Sequence, residues 1–156
     1  MHEFRTRRKV ELADTDMVGI VHFARFFIFM ETAEHEFLEA LGTRVLFERD
    51  GCQMGWPRVA ATCEYLAPAR FGDVLDIHLT VAKKGNSSVT YAFEISRQDQ
   101  TLARGRVTTA FCRLDGPEGV RAVRIPDFLS ALLEVAPAVE ALRGDALVPE
   151  ADQSKI

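Results

Sequence analysis

The sequence predicts an α+β domain in which an antiparallel five-stranded sheet wraps around one long central helix. Three observations carry this reading. Phe23, Phe26, Phe27, Met30, Ala33, Phe37, Leu38 and Leu41 recur at intervals of three and four, the mark of a helix with one buried face. One strand-like run precedes that helix and four follow it, the second of the four alternating cleanly through Leu75, Ile77, Leu79 and Val81. The links between the later strands are short, which favours antiparallel neighbours in a meander, and such a sheet buries an aromatic helix stripe only if it curls over it.

In chain order, residues 3–12 read as the first strand, with Phe4, Val10 and Leu12 set among charges. An acidic loop follows, then the helix over about residues 22–41, stopped by Gly42. Residues 44–49 read as a short helical turn. After Gly51 and Pro57 the pattern changes to strands over 59–66, 74–81, 89–95 and 102–114. Residues 68–73, residues 83–88 and Asp99-Gln100 carry the turn chemistry that separates them. Beyond Pro126 a helical segment over 128–133 packs on an edge. Residues 1–143 are expected to form a single domain and 144–156 a flexible C-terminal tail.

A chain of 156 residues with 47% hydrophobic content is long enough for one real core. Its net charge of -4 argues against a nucleic-acid partner held by bulk positive charge. The N-terminus shows no apolar targeting segment and no stretch reaches the length of a membrane span, so the expected location is the cytoplasm. Cys52, Cys63 and Cys112 are odd in number, widely spaced and without a C-x-x-C pair, which suggests neither a disulfide framework nor a zinc site. Cys63 and Cys112 fall in strand-like runs as small core residues, and Cys52 in a loop. His35-Glu36-Phe37-Leu38-Glu39 lacks the second histidine of a zinc-protease helix, and no metal is expected.

The most informative stretch is Asp14-Thr15-Asp16-Met17-Val18-Gly19-Ile20-Val21-His22-Phe23, two carboxylates, a glycine and a histidine between a strand and the helix. Asp14, Thr15 and Asp16 are read either as capping and turn residues or as a site. Asp16 lies several residues before the apolar stripe, too far for a simple cap, and Gly19 permits a sharp turn or close approach of a ligand. A helix N-terminus offers unpaired N–H groups and a positive dipole, which stabilise negative charge developing on a substrate oxygen.

Here the sequence resembles the hotdog-fold thioesterases, specifically the 4-hydroxybenzoyl-CoA thioesterase-like acyl-CoA thioesterases, over about residues 4–130. The stretch from Asp14 to Phe23 matches that family's D-x-D-x-x-G-x-V-aromatic pattern. Glu64-Tyr65-Leu66-Ala67-Pro68-Ala69-Arg70-Phe71-Gly72-Asp73 looks like its second signature, and Arg124-Ile125-Pro126 its closing Arg-x-Pro element. The resemblance implies that Asp16 is the catalytic carboxylate and that the Phe23 N–H polarises the thioester carbonyl. Many relatives have Tyr-His where this chain has His22-Phe23, so the histidine stands one residue earlier and its assisting role is not carried over by position.

Asp16 is then expected either to attack the thioester carbon, giving a mixed anhydride resolved by water, or to act as base on the attacking water. His22 is expected to position water, contact the acyl group or cap the loop. Gly19, Phe23 and Glu31 are expected to line the oxyanion and substrate site. Glu31, eight residues after Phe23 on the same helix face, is the runner-up base or a buried, hydrogen-bonded or dimer-contact glutamate. Lys83, Lys84, Asn86 and Ser88 lie at a hairpin where relatives place basic residues against coenzyme A phosphates, and Arg70 is a further phosphate contact; an ordinary solvated turn is the alternative. The expected activity is hydrolysis of an acyl-CoA thioester without metal or redox cofactor, by a homodimer or homotetramer. A carrier-protein thioesterase and a noncatalytic acyl-CoA-binding protein are the alternatives.

Overall fold

The computed structural model describes residues 1–137. The expected tail over 144–156, and the end of the expected domain at 143, lie outside the described residues.

The elements in order are β1 (Glu3–Lys9), a 3-10 turn (Leu12–Asp14), α1 (Arg25–Ala40), β2 (Leu46–Arg49), β3 (Cys52–Gly55), β4 (Arg58–Tyr65), β5 (Val74–Lys84), β6 (Ser88–Arg97), β7 (Gln100–Ala110), β8 (Cys112–Gly116), β9 (Gly119–Ala122) and α2 (Asp127–Leu132). The principal sheet has five antiparallel strands in the order β1-β5-β6-β7-β4. Helix α1 packs against β5 and also against β1 and β4, the two opposite edges, so the sheet curls around it as expected. Its side chains Phe26, Phe29, Met30, Ala33, Phe37 and Leu38 fill the concave face against Leu75, Ile77, Leu79, Tyr91, Phe93 and Val107. Each large apolar side chain buried in this way contributes about 1.5–3 kcal/mol relative to an exposed one.

Four sequence expectations are corrected. The later strands are not a simple meander, because β4 leaves β5 and pairs with β7 at the far edge. The link over 68–73 is no hairpin turn, since its backbone is used elsewhere: Val21 N–H donates to Ala69 O at 2.8 Å, Val10 N–H to Asp73 O at 2.8 Å and Gly72 N–H to Val10 O at 3.0 Å. Residues 44–49 are no helical turn. They supply β2, joined to β3 by Asp50-Gly51, both at positive φ (51° and 72°), the backbone of a tight hairpin. Residues 102–114 are two strands, broken at Phe111, which is fully buried against Trp56 with ring centroids 4.8 Å apart. The chain there passes from the principal sheet into a second one of four strands, β2-β3-β8-β9, which the sequence reading did not anticipate.

The first strand stops at Lys9 and α1 starts at Arg25, each sooner or later than the periodicity alone suggested, because the intervening residues build the acidic loop. At its other end α1 closes as expected: Gly42, at φ +78°, and Thr43 donate to Glu39 O and Leu38 O, the paired bonds of a left-handed helix stop. In mid-sheet, Gly105 lets α1 approach closely, since a Cβ there would overlap Met30 Sδ. Among the described residues no helix is long and apolar enough to cross a membrane.

Candidate active site

Between β1 and α1 the chain folds back on itself as a short antiparallel pair. His22 N–H donates to Asp14 O at 2.8 Å, Thr15 bridges Val21, and Asp16 N–H donates to Ile20 O at 2.8 Å. Gly19, at φ +83°, lets residues 16–20 close this loop tightly. The Asp16 carboxylate is oriented by its own loop: Oδ1 accepts the N–H of Val18 at 2.8 Å and of Ile20 at 3.4 Å. Its Oδ2 has no hydrogen bond among the described residues. Asp14 has the other fate that the sequence allowed. It is buried, with Oδ1 held by Arg25 Nε and Nη2 at 2.8 and 2.6 Å and Oδ2 accepting Glu11 N–H at 2.8 Å. One carboxylate therefore ties the loop to the start of α1, and the other is presented.

The run into α1 isolates a single donor. Val21 N–H goes to Ala69 O, His22 N–H to Asp14 O, Ala24 N–H to His22 Nδ1 at 3.1 Å and Arg25 N–H to His22 O at 2.9 Å. Among residues 21–25 only the Phe23 N–H has no partner among the described residues. His22 thus serves the loop as a cap through Nδ1, with its ring stacked on Phe23 at 4.5 Å. Phe23, expected in the core stripe, is instead 63% exposed.

Glu31 is also outside the core. It is half-buried, 3.3 Å from Arg58 Nη2 and 3.9 Å from His35 Nε2, about 9 Å along the axis from Arg25. The core carboxylate is Glu34, with none of its surface exposed. Its Oε2 lies 2.9 Å from Arg58 Nη2, and its buried Oε1 has no partner among the described residues. Burial pushes its carboxyl up to about 7 against the opposing pull of Arg58.

The residues expected to meet coenzyme A do not gather in one place. Arg70 is exposed beside the loop, next to the Ala69 carbonyl that binds Val21. Lys83, Lys84, Asn86 and Ser88 stand at the other end of β5, whose 11 residues span about 33 Å. Lys83 and Asn86 are exposed there, and Ser88 O accepts Gly85 N–H at 2.8 Å. The Lys84 ammonium is already used, donating to Ser130 O and Leu133 O at 2.6 and 2.8 Å across the end of α2. Asp16, Gly19, His22, Phe23 and Arg70 are thus together, and the hairpin is remote from them within one chain.

The family model described as the thioesterase-like superfamily matches residues 10–133, which include this loop, the second sheet and every strand of the principal sheet but β1. The chain belongs to that superfamily. Membership places it among the thioester hydrolases. A 1,4-dihydroxy-2-naphthoyl-CoA hydrolase from Synechococcus is 28% identical over 136 residues, covering 83% of this chain and 87% of the relative. The solved structure of a 1,4-dihydroxy-2-naphthoyl-CoA thioesterase from Synechocystis superposes with a TM-score of 0.73 at 27% identity, covering 84% of this chain and 95% of that one. The 4-hydroxybenzoyl-CoA thioesterase of a Pseudomonas strain has the same fold, with a TM-score of 0.71 at 20% identity over 83% and 99% of the two chains.

Within this thioesterase-like framework, Glu34 and Arg58 escaped the sequence reading, and Tyr65 entered it as part of the second signature without a role. Tyr65, at the end of β4, donates its hydroxyl to Phe23 O at 2.9 Å. Nothing in a linear motif marks such a contact. Glu34 did leave a signal, since it stands four residues after Met30 and four before Leu38 and so shares their face. Arg58, which faces Glu31 and Glu34 of α1, is recognisable only once β4 is placed beside the helix.

Proposed function

We propose that the protein hydrolyses an acyl-CoA thioester to the free acid and coenzyme A, with Asp16 as nucleophile or general base and the Phe23 N–H as oxyanion donor. One observation carries this: the Asp16 carboxylate, whose Oδ2 has no hydrogen bond among the described residues, sits on a loop that leads directly to the Phe23 N–H just before α1, which has no partner among the described residues either. Negative charge on the thioester oxygen is stabilised there by that donor and by the positive end of the helix. No metal or redox cofactor is required, because the carboxylate and the backbone supply the chemistry. Activity should therefore survive a strong chelator.

An aromatic acyl group suits the exposed rings of Phe23 and Tyr65, and the superfamily relatives that act on 1,4-dihydroxy-2-naphthoyl-CoA support it. The active form is a homodimer or homotetramer. Edge strand β4 is largely exposed, and Met17, Val18 and Phe71 leave further apolar surface uncovered near the loop. Arg70, or Lys83 of a second copy, then meets the coenzyme A phosphates.

The test is a thiol-release screen over aromatic and aliphatic acyl-CoA esters, each compared with the same acyl group on a carrier protein. Asp16→Asn should lower turnover at least ~10²-fold while the protein stays folded. Full activity in that variant would refute the assignment, and an inactive Glu31→Gln would move the base to Glu31. Single turnover in heavy-oxygen water separates the two roles, since label in the Asp16 carboxylate requires the anhydride. Light scattering that found an active species of 17.4 kDa would overturn the oligomeric reading.

A further inference from the structure

Tyr65 closes β4, opposite Ala103 of β7, on the strand face shared with Ala61 and Cys63 that turns towards α1. Its ring meets Phe26 edge-on, with centroids 5.4 Å apart and planes at 73°. Its hydroxyl reaches Phe23 O at 2.9 Å. That carbonyl needs a donor, because Phe27 N–H, which would bond it in a regular helix, goes to Ala24 O at 3.2 Å instead. The phenol thus replaces a missing helical bond at the residue whose own N–H has no partner among the described residues.

We propose that Tyr65 is a positioning residue: by donating to the Phe23 carbonyl it fixes the backbone of Phe23 so that its N–H points at the thioester oxygen. The inference rests on the thioesterase reading for its catalytic consequence, though the clamp itself does not. The neighbouring N–H groups of His22, Ala24 and Arg25 are all bonded within the loop and helix start. The Tyr65 hydroxyl ties this turn to the end of β4, so it helps set the turn's position relative to the rest of the site. Partial desolvation, with Cys63 beside it, pushes its ionisation up to about 12, and it remains a donor at any working pH. A donor that is misaimed by a fraction of an ångström loses transition-state stabilisation while leaving ground-state binding nearly intact.

Tyr65→Phe removes the hydroxyl and keeps the ring on Phe26, so it isolates the hydrogen bond. Two measurements on the full-length chain decide the matter. Amide exchange at residues 22–25 should accelerate markedly in the variant, and kcat on the best acyl-CoA should fall about tenfold with KM within about twofold of wild type. Unchanged exchange overturns the clamp, and so does a variant that changes only KM or only melting temperature. If the wild-type protein cleaves no acyl-CoA, the thioesterase reading falls by itself. Exchange at residues 22–25 then still decides whether Tyr65 holds the turn.

Discussion

Glu34 and Arg58 form the one ion pair among the described residues in which a carboxylate is wholly withdrawn from solvent, at 2.9 Å, and the pairing is incomplete. Arg58 also serves Glu31 at 3.3 Å, and Glu34 Oε1 has no partner among the described residues. The Tyr91 hydroxyl is likewise buried and without a partner among the described residues, and burial, then the nearby Glu34, push its ionisation upward. A half-satisfied buried carboxylate is costly in proportion to its charge.

Stability should therefore carry a signature of Glu34. Its folded carboxyl titrates near 7, against 4.5 for an ordinary glutamate, so between those values the folded state holds a proton that the unfolded state has released. This group's contribution to stability falls as pH rises through that window and levels off above it, by an amount on the order of 3 kcal/mol. Glu34→Gln imitates the protonated form and should remove the fall. Denaturant melts of both proteins at pH 5 and pH 8 measure the difference, and identical pH slopes would count against it.

Lys83 and Lys84 are adjacent in sequence and should behave differently. Lys84 ties two carbonyls at the end of α2 to β5, so Lys84→Met should destabilise the fold by about 1–3 kcal/mol with little effect on KM. Lys83→Ala and Arg70→Ala should leave stability within about 0.5 kcal/mol and raise KM for acyl-CoA, more strongly at low salt. A large KM effect from Lys84→Met alone would return that lysine to the coenzyme A site.

Gly105 sets the spacing of α1 from the sheet. A Cβ there would lie 2.7 Å from Met30 Cε and 3.1 Å from the Thr62 carbonyl oxygen. Gly105→Ala should cost about 1–3 kcal/mol through overpacking. Most of that loss should return in a double variant with Met30→Val, which shortens the flexible partner. Additive losses in the two single variants would instead locate the strain at Thr62.

Asp14 should matter to stability before it matters to chemistry. Asp14→Asn keeps the side-chain shape but leaves Arg25 without its charge partner, at an expected cost of about 1–3 kcal/mol. Turnover measured well below the melting transition should fall less than in Asp16→Asn. Equal losses in the two variants would mean that Asp14, too, acts on the substrate.

The family motifs and the two periodicities made the central helix, the five principal strands and the site loop legible. What escaped depended on partners distant in sequence. The path of β4 to the far edge followed from which backbone groups residues 69–73 satisfy, and local turn chemistry does not encode that. The hairpin of β2 and β3 did carry a local signal, Asp50-Gly51, outweighed by the charged residues around it. At the candidate site, the placement of Asp16 and Phe23 just before α1 was readable because motif and helix start coincide in sequence. Tyr65 stood in the second motif, but its contact was not readable, since its hydroxyl meets a backbone atom 42 residues away.

The hydrogen bond from Tyr65 to Phe23 also joins the two outermost strands of the sheet, since the loop hangs from β1 at one edge and Tyr65 ends β4 at the other. Strands β5, β6 and β7 are sequential hairpins and can pair early, whereas β1 and β4 must return across long stretches of chain. Assembly of the site is then the closing event of folding and its loss the first step of opening, which stopped-flow refolding would register as activity recovered after the bulk of the sheet signal. A partly folded chain would hold a formed core and no working hydrolase.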